Sequence, residues 1–165
     1  VDRLTGAGSV VIFTFDAYPP VQKRGIIADA IFANNPDITV LDRIIPDVTD
    51  GGIADSRAKM EAILEANPEP GSISAVWAAW DQPALGALQA IEAAGRQDEG
   101  IVIVGIDANP QALDAIAAGG NFEASVAQDL VDTYLAGEEI TQRVVYVPTT
   151  LVTASNVEDF LSVGQ

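Results

Sequence analysis

The sequence contains no cysteine and no histidine. The first absence removes disulfides, thiolate nucleophiles and soft metal sites together. It leaves the compartment open, since exported and cytosolic proteins alike can lack cysteine. The second removes Ser-His-Asp chemistry, imidazole acid–base catalysis and the usual zinc ligands. Basic residues are scarce, 8 against 24 acidic ones, for a formal net charge of −16. Nucleic acid is a poor partner for such a surface, because its phosphates would be repelled. The acidic residues are scattered rather than gathered in a tail, which is the pattern of a solvated surface. No apolar run reaches the roughly 18 residues of a membrane span. No basic segment followed by an apolar core opens the chain, so a secretory signal is expected to be absent or already removed. Phosphate-binding Gly-x-Gly-x-x-Gly and Gly-Lys-Ser/Thr loops are missing too, which leaves nucleotide binding by those routes unsupported.

What is present is enough for one domain with its own core: 165 residues, 48% of them hydrophobic. Strand-like and helix-like patterns alternate along it. Ser9 to Phe15, Ile38 to Ile45, Ile73 to Ala79, Ile101 to Ile106 and Phe122 to Ala127 are β-branched or apolar runs. Between them lie helical patterns. Val21 to Asn34 has apolar residues at 27, 30 and 31, with 26 and 32 beside them. Ile53 to Ala66 carries Ile53, Met60, Ile63 and Leu64 on its expected buried side. Asp81 to Ala94 and Gln111 to Ala118 are each closed by glycine. Beyond residue 128 the pattern predicts a short helix over Asp129–Ala136, an extended stretch from Val144 to Val152 broken by Pro148, and a last helical turn from Val157. Continuously apolar strands are those of a parallel sheet covered on both faces. The expected fold is α/β: a doubly wound, mostly parallel sheet of five or six strands with helices on both faces.

In such sheets, ligands bind beyond the carboxyl ends of the strands. Several polar and aromatic residues fall there. Asp16 and Tyr18 follow the first strand, and Arg24 lies one turn into its helix. Trp80 and Asp81 follow the third strand, Asp107 and Asn109 the fourth, and Gln128 the fifth. Each has a plain structural alternative. Asp81 is the expected N-cap of the helix that follows, with Pro83 in its first turn; Asp107 is equally open to a capping role. Arg24 could be a surface charge, and Trp77 is expected in the core. Trp80 is hardest to account for structurally, since an exposed indole wants a partner. Carboxylate, guanidinium, amide and aromatic face together suit a neutral polyol: hydroxyls hydrogen-bond to the polar groups, and sugar C–H faces stack on the ring. The acidic loop Asp47 to Asp50, with Asp55, offers oxygens for a hard cation, but its spacing matches no calcium loop and a solvated loop is expected.

Four motifs carry a resemblance: Gln22-Lys23-Arg24-Gly25, Ala78-Ala79-Trp80-Asp81-Gln82-Pro83-Ala84-Leu85-Gly86-Ala87, Ile103-Val104-Gly105-Ile106-Asp107 and Ala124-Ser125-Val126-Ala127-Gln128-Asp129, with Leu151-Val152-Thr153 near the end. In this order they resemble the C-terminal part of type I periplasmic sugar-binding proteins, the ribose-binding-like receptors of ABC importers. The resemblance implies that Arg24 donates to sugar hydroxyls, that Asp107 accepts from them, and that Gln128 sits at a hinge crossing and touches sugar. Where the family often has a ligand-binding Asn, this chain has Trp80, which implies stacking instead; Asp81 remains chiefly the cap. Residues 1–128 would form a C-terminal ligand-binding lobe, 129–150 a remnant of the hinge crossing, and 151–165 a return segment. The family's N-terminal lobe is missing, and the helix after Val126-Ala127-Gln128 is shorter by roughly three turns.

The implied partners are a monosaccharide or polyol, the missing lobe and the membrane subunits of an ABC permease. The implied location is periplasmic or extracellular, with a lipid anchor in the missing part left open. No cofactor and no catalysis are implied. Two other readings compete. One is the sugar-sensing effector domain of a lactose-repressor-type transcription regulator, which shares the fold. The other is an enzyme on a flavodoxin-like sheet using Asp16, Asp81 or Asp107, which the fold alone cannot support.

Overall fold

A computed structural model of the chain describes residues 4–128 and 149–161. In order, the elements are β1 (Gly8–Phe13), α1 (Pro19–Ala33), β2 (Ile38–Ile44), α2 (Ile53–Ala66), β3 (Ala75–Ala78), α3 (Asp81–Ala93), β4 (Val102–Ile106), α4 (Pro110–Ala118), β5 (Phe122–Gln128), β6 (Thr149–Thr153) and α5 (Val157–Leu161). They form one six-stranded sheet in the order β2-β1-β3-β4-β5-β6. The β2–β1, β1–β3, β3–β4 and β4–β5 pairs are parallel, and β6 runs antiparallel to β5, with Val152 opposite Ser125. The expected mixed α/β sheet is therefore present. The stretches expected as a helix over 129–136 and as extended chain over 144–148 lie outside the described residues.

The inner strands β1, β3 and β4 bury both faces, as their apolar runs require, while the edge strands β2 and β6 each leave one side partly exposed. On one face Val11, Phe13, Val76 and Ile103 pack with Met60 and Leu64 of α2, Ile91 of α3, Ile116 of α4 and Val157 of α5. On the other, Val10, Ile12, Ile38, Ala75 and Val102 pack with Phe32 of α1; Trp77 lies against this cluster, partly buried. The chain steps from β1 outward to β2 and then returns across β1 to β3. This reversal leaves a crevice beyond the carboxyl ends of β1 and β3.

Two helices differ in how plainly their patterns mark the buried face. In α1, Ile26, Ile27 and Ile31 are exposed, and the buried positions are Val21, Gly25 and Ala28. This helix is apolar nearly all round, so periodicity did not single out its inner face. Its smallest side chains let it approach the sheet. In α2 the buried stripe is Ser56, Met60 and Leu64, spaced at i, i+4 and i+8, while Ile53 and Ile63 are only partly buried.

Candidate binding cleft

The crevice at the β1/β3 switch is a cleft of about 600 Å³. Phe15 enters it because β1 ends at Phe13, two residues before its apolar run does. Tyr18, Val21 and Arg24 come from the start of α1, and Trp80 and Gln82 from the β3–α3 junction. Val48 and Gly51 come from the loop before α2, and Asp107 from the end of β4. Four of the expected residues thus surround one space: Tyr18, Arg24, Trp80 and Asp107.

Trp80 is held rather than free. Its Nε1–H donates to the Gly51 carbonyl at 2.9 Å, and its ring meets Phe15 edge-on, with centroids 6.4 Å apart. A partly buried indole N–H needs such a partner. The loop that supplies it turns through Gly51 and Gly52, at φ 80° and 98°. A Cβ at Gly52 would lie 3.3 Å from the indole Cζ2, so glycine there serves both the turn and the close approach.

Arg24 and Asp107 form the polar side of the cleft. The Arg24 guanidinium donates to the Ala79 carbonyl at 2.7 Å and to Asp107 Oδ1 at 2.9 Å. Two of its five N–H groups are thereby engaged within the described residues. The Asp107 side chain remains 43% exposed, so its second oxygen is open to solvent or to a hydroxyl. Asp107 and Ala108 have φ of 115° and 50°, conformations disfavoured for side-chain-bearing residues.

Asp16 is drawn elsewhere. Arg43 of β2 grips both its oxygens, at 3.0 and 3.1 Å, and also pairs with Asp29. The Arg43 hydrogen bond holds the Asp16 carboxyl below its ordinary range. Asp16 does not line the cleft. Gln128 ends β5 opposite Thr149; its side chain lies outside the described residues. The acidic loop satisfies itself. Asp47 accepts from Thr49, Asp50 accepts from the Gly52 and Ala54 amides at the start of α2, and Asp55 pairs with Lys59. Among the described residues no group of carboxylates is arranged to hold a metal ion.

Asp81 departs from its expected role. The N-cap of α3 is Trp80, and Asp81 is the first helical residue, fully buried. Its oxygens turn away from the amides of its own helix. Oδ1 accepts from Ser125 Oγ at 2.6 Å and Oδ2 from the Asn109 amide at 2.8 Å. A Cβ at position 105 would collide with Asp81 Oδ1, so Gly105 makes room for the carboxylate. Burial pushes the Asp81 carboxyl up to about 6; the bonds from Ser125 and Asn109 oppose this, Asp107 reinforces it and Arg24 opposes it. The helix cap at this rim belongs instead to Asn109, which accepts from the Ala112 amide.

Phe15, Val48, Gly51 and Gln82 were not among the expected site residues. Gln82 could have been inferred, since it adjoins Trp80 and Asp81 at a strand end. The Gly51 carbonyl could not, because backbone acceptors leave no mark in a sequence.

Comparison with known proteins agrees with this architecture. The model of the periplasmic binding protein domain matches residues 1–140. A xylitol-binding protein of Mycolicibacterium smegmatis is 32% identical over 168 residues, covering 95% of this chain and 46% of the relative. A D-apiose import binding protein of Actinobacillus succinogenes is 40% identical over 92 residues, 56% of this chain and 27% of the relative. Among solved structures, an ABC transporter solute-binding protein from Agrobacterium vitis with bound allitol superposes with a TM-score of 0.79 at 32% identity, covering 98% of this chain and 59% of that one. One from Bacillus halodurans with bound myo-inositol gives 0.78 at 26% identity, covering 98% and 56%. The chain spans half or less of the length of the curated relatives it matches. With the family model matching most of its length, the chain belongs to the periplasmic binding protein domain family.

Proposed function

We propose that this chain is one lobe of a two-lobed solute receptor for an ABC importer, and that its cleft is half of a pocket for a monosaccharide or polyol. The observation that carries the reading is the pairing of an aromatic wall, Phe15, Tyr18 and Trp80, with the Arg24–Asp107 ion pair at the sheet's switch point. Stacked rings cover the C–H face of a sugar, and the ion pair offers both donors and acceptors to its hydroxyls. A neutral ligand suits the cleft, because Arg24 is already balanced by Asp107. Gln128 would add an amide at the crossing between lobes. The protein would work without chemistry: the lobes close about a hinge, and the closed form presents itself to the permease. Periplasmic placement accords with this role, and a lipid anchor upstream would serve it equally. No observation here favours the transcriptional effector domain.

The test is a thermal-shift and calorimetric screen of xylitol, allitol, myo-inositol, pentoses and hexoses. On the two-lobed protein at least one should raise the Tm in a concentration-dependent way. The 165-residue chain, with half a pocket, should give weak heats or none. Micromolar affinity for the chain alone would contradict the half-pocket, and no response from the two-lobed protein to any polyol or sugar would overturn the ligand class.

A further inference from the structure

The turn that carries Asp107 is unusual in one respect. Its three successive amides are each tied to an acceptor outside the turn. Asp107 N–H donates to the Val126 carbonyl at 2.9 Å. Ala108 N–H donates to Ser125 Oγ at 3.0 Å. Asn109 N–H donates to Asp81 Oδ2 at 2.8 Å. Ser125 Oγ in turn donates to Asp81 Oδ1, which closes the network. Asp81 and Ser125 are both fully buried, and neither lines the cleft.

Two adjacent non-glycine residues at positive φ are costly and persist only where their surroundings over-determine them. Here the surroundings are these side chains. We infer that Asp81 and Ser125 are positioning residues for ligand binding: they clamp the 107–109 backbone in the left-handed turn that sets the Asp107 carboxylate against Arg24 at the cleft. The inference rests on the proposed function, in which Asp107 receives ligand hydroxyls.

A simple capping role for Asp81 does not account for the geometry, since neither oxygen bonds to an amide of α3. Nor does a purely stabilising role. Burial disfavours the ionised carboxylate, yet the ionised form alone can accept from both Ser125 and Asn109 while donating to neither. A group retained where its charge is disfavoured, next to a cleft, is characteristic of a functional site.

The clamp makes a prediction that general destabilisation does not. In Ser125→Ala, Ala108 N–H loses its acceptor and the strained turn can relax. Ligand affinity of the two-lobed protein, measured by calorimetry with the tightest of xylitol, allitol and myo-inositol, should fall by about tenfold or more, close to the effect of one lost hydrogen bond. Adding Ala108→Gly to that variant should recover much of the loss, because glycine adopts the left-handed conformation without the clamp. A merely structural role for Ser125 would not be rescued by a change in turn preference. Unchanged affinity in Ser125→Ala, or failure of glycine to recover it, would overturn the inference.

A second arm needs no ligand. A crystal structure of Ser125→Ala in the 165-residue chain should show Asp107 displaced from its 2.9 Å contact with Arg24. An intact turn and ion pair in that variant would overturn the clamp. Should the two-lobed wild type bind none of the polyols, the functional reading falls, while this arm still decides whether Asp81 and Ser125 hold the turn.

Discussion

Two arginines at opposite ends of the sheet have opposite designs. Arg96 lies at the end where β3 and β4 begin, 9% exposed. It binds both oxygens of Glu99 at 2.7 Å. It also donates to the carbonyls of Leu64, Asn67 and Glu69. Every one of its five N–H groups has a partner. Arg24 lies at the end where β1 and β3 finish, with two partners, and one of these, Asp107, sits in a strained turn. A saturated guanidinium ties chain segments together and has nothing left to offer a ligand. A half-satisfied one, beside a carboxylate and three rings, keeps donors free for the hydroxyls of the proposed ligand.

The largest contrast should appear in stability. Arg96→Ala would strip the partner from a partly exposed carboxylate and leave three carbonyls without their donor. The loss of these hydrogen bonds should cost roughly 2 kcal/mol or more in urea unfolding. A loss below about 1 kcal/mol would remove the distinction between the two ends.

The next effect belongs to Asp81. Its folded pKa, about 6, lies above the ordinary aspartate value of 3.8. The stability this group adds is therefore fully present below pH 3.8 and is lost as pH rises through 6. Measured by urea unfolding, wild type should lose about 3 kcal/mol relative to Asp81→Asn between pH 3.5 and 7. A constant gap would mean that the carboxylate is not desolvated as described.

Smaller again is Trp80→Ala. It removes the stacking face and the bond to Gly51, and ligand affinity of the two-lobed protein should fall by about tenfold. Unchanged affinity would reassign the indole to the support of the α2 loop alone.

The sequence disclosed the sheet more fully than the helix faces. Parallel strands buried on both sides are apolar throughout, so their positions stand out, and α2 occupies Ile53–Ala66, the range its pattern predicts. The apolar residues of α1 mark a helix but not which side faces the sheet, and the structure leaves Ile26, Ile27 and Ile31 exposed. The cleft was legible where strand order alone locates a residue: Tyr18, Arg24, Trp80 and Asp107 all follow strand ends. It was illegible where a distant partner decides. Arg43, 27 positions beyond Asp16, draws that carboxylate away from the lining. Asp81 was misassigned because a helix cap and a clamp on a neighbouring turn look the same in sequence; only the turn's three amides distinguish them.

On the proposed function, the Arg24–Asp107 side of the cleft serves a ligand and Arg96 serves the fold. Calorimetry and thermal unfolding of Arg24→Ala in the two-lobed protein test it most directly. Affinity for the best polyol or sugar should fall roughly 10- to 100-fold, the effect of losing a charged donor. Stability should change by less than about 1 kcal/mol, because Asp107 stays hydrated. Unchanged affinity, or a stability loss matching that of Arg96→Ala, would contradict it.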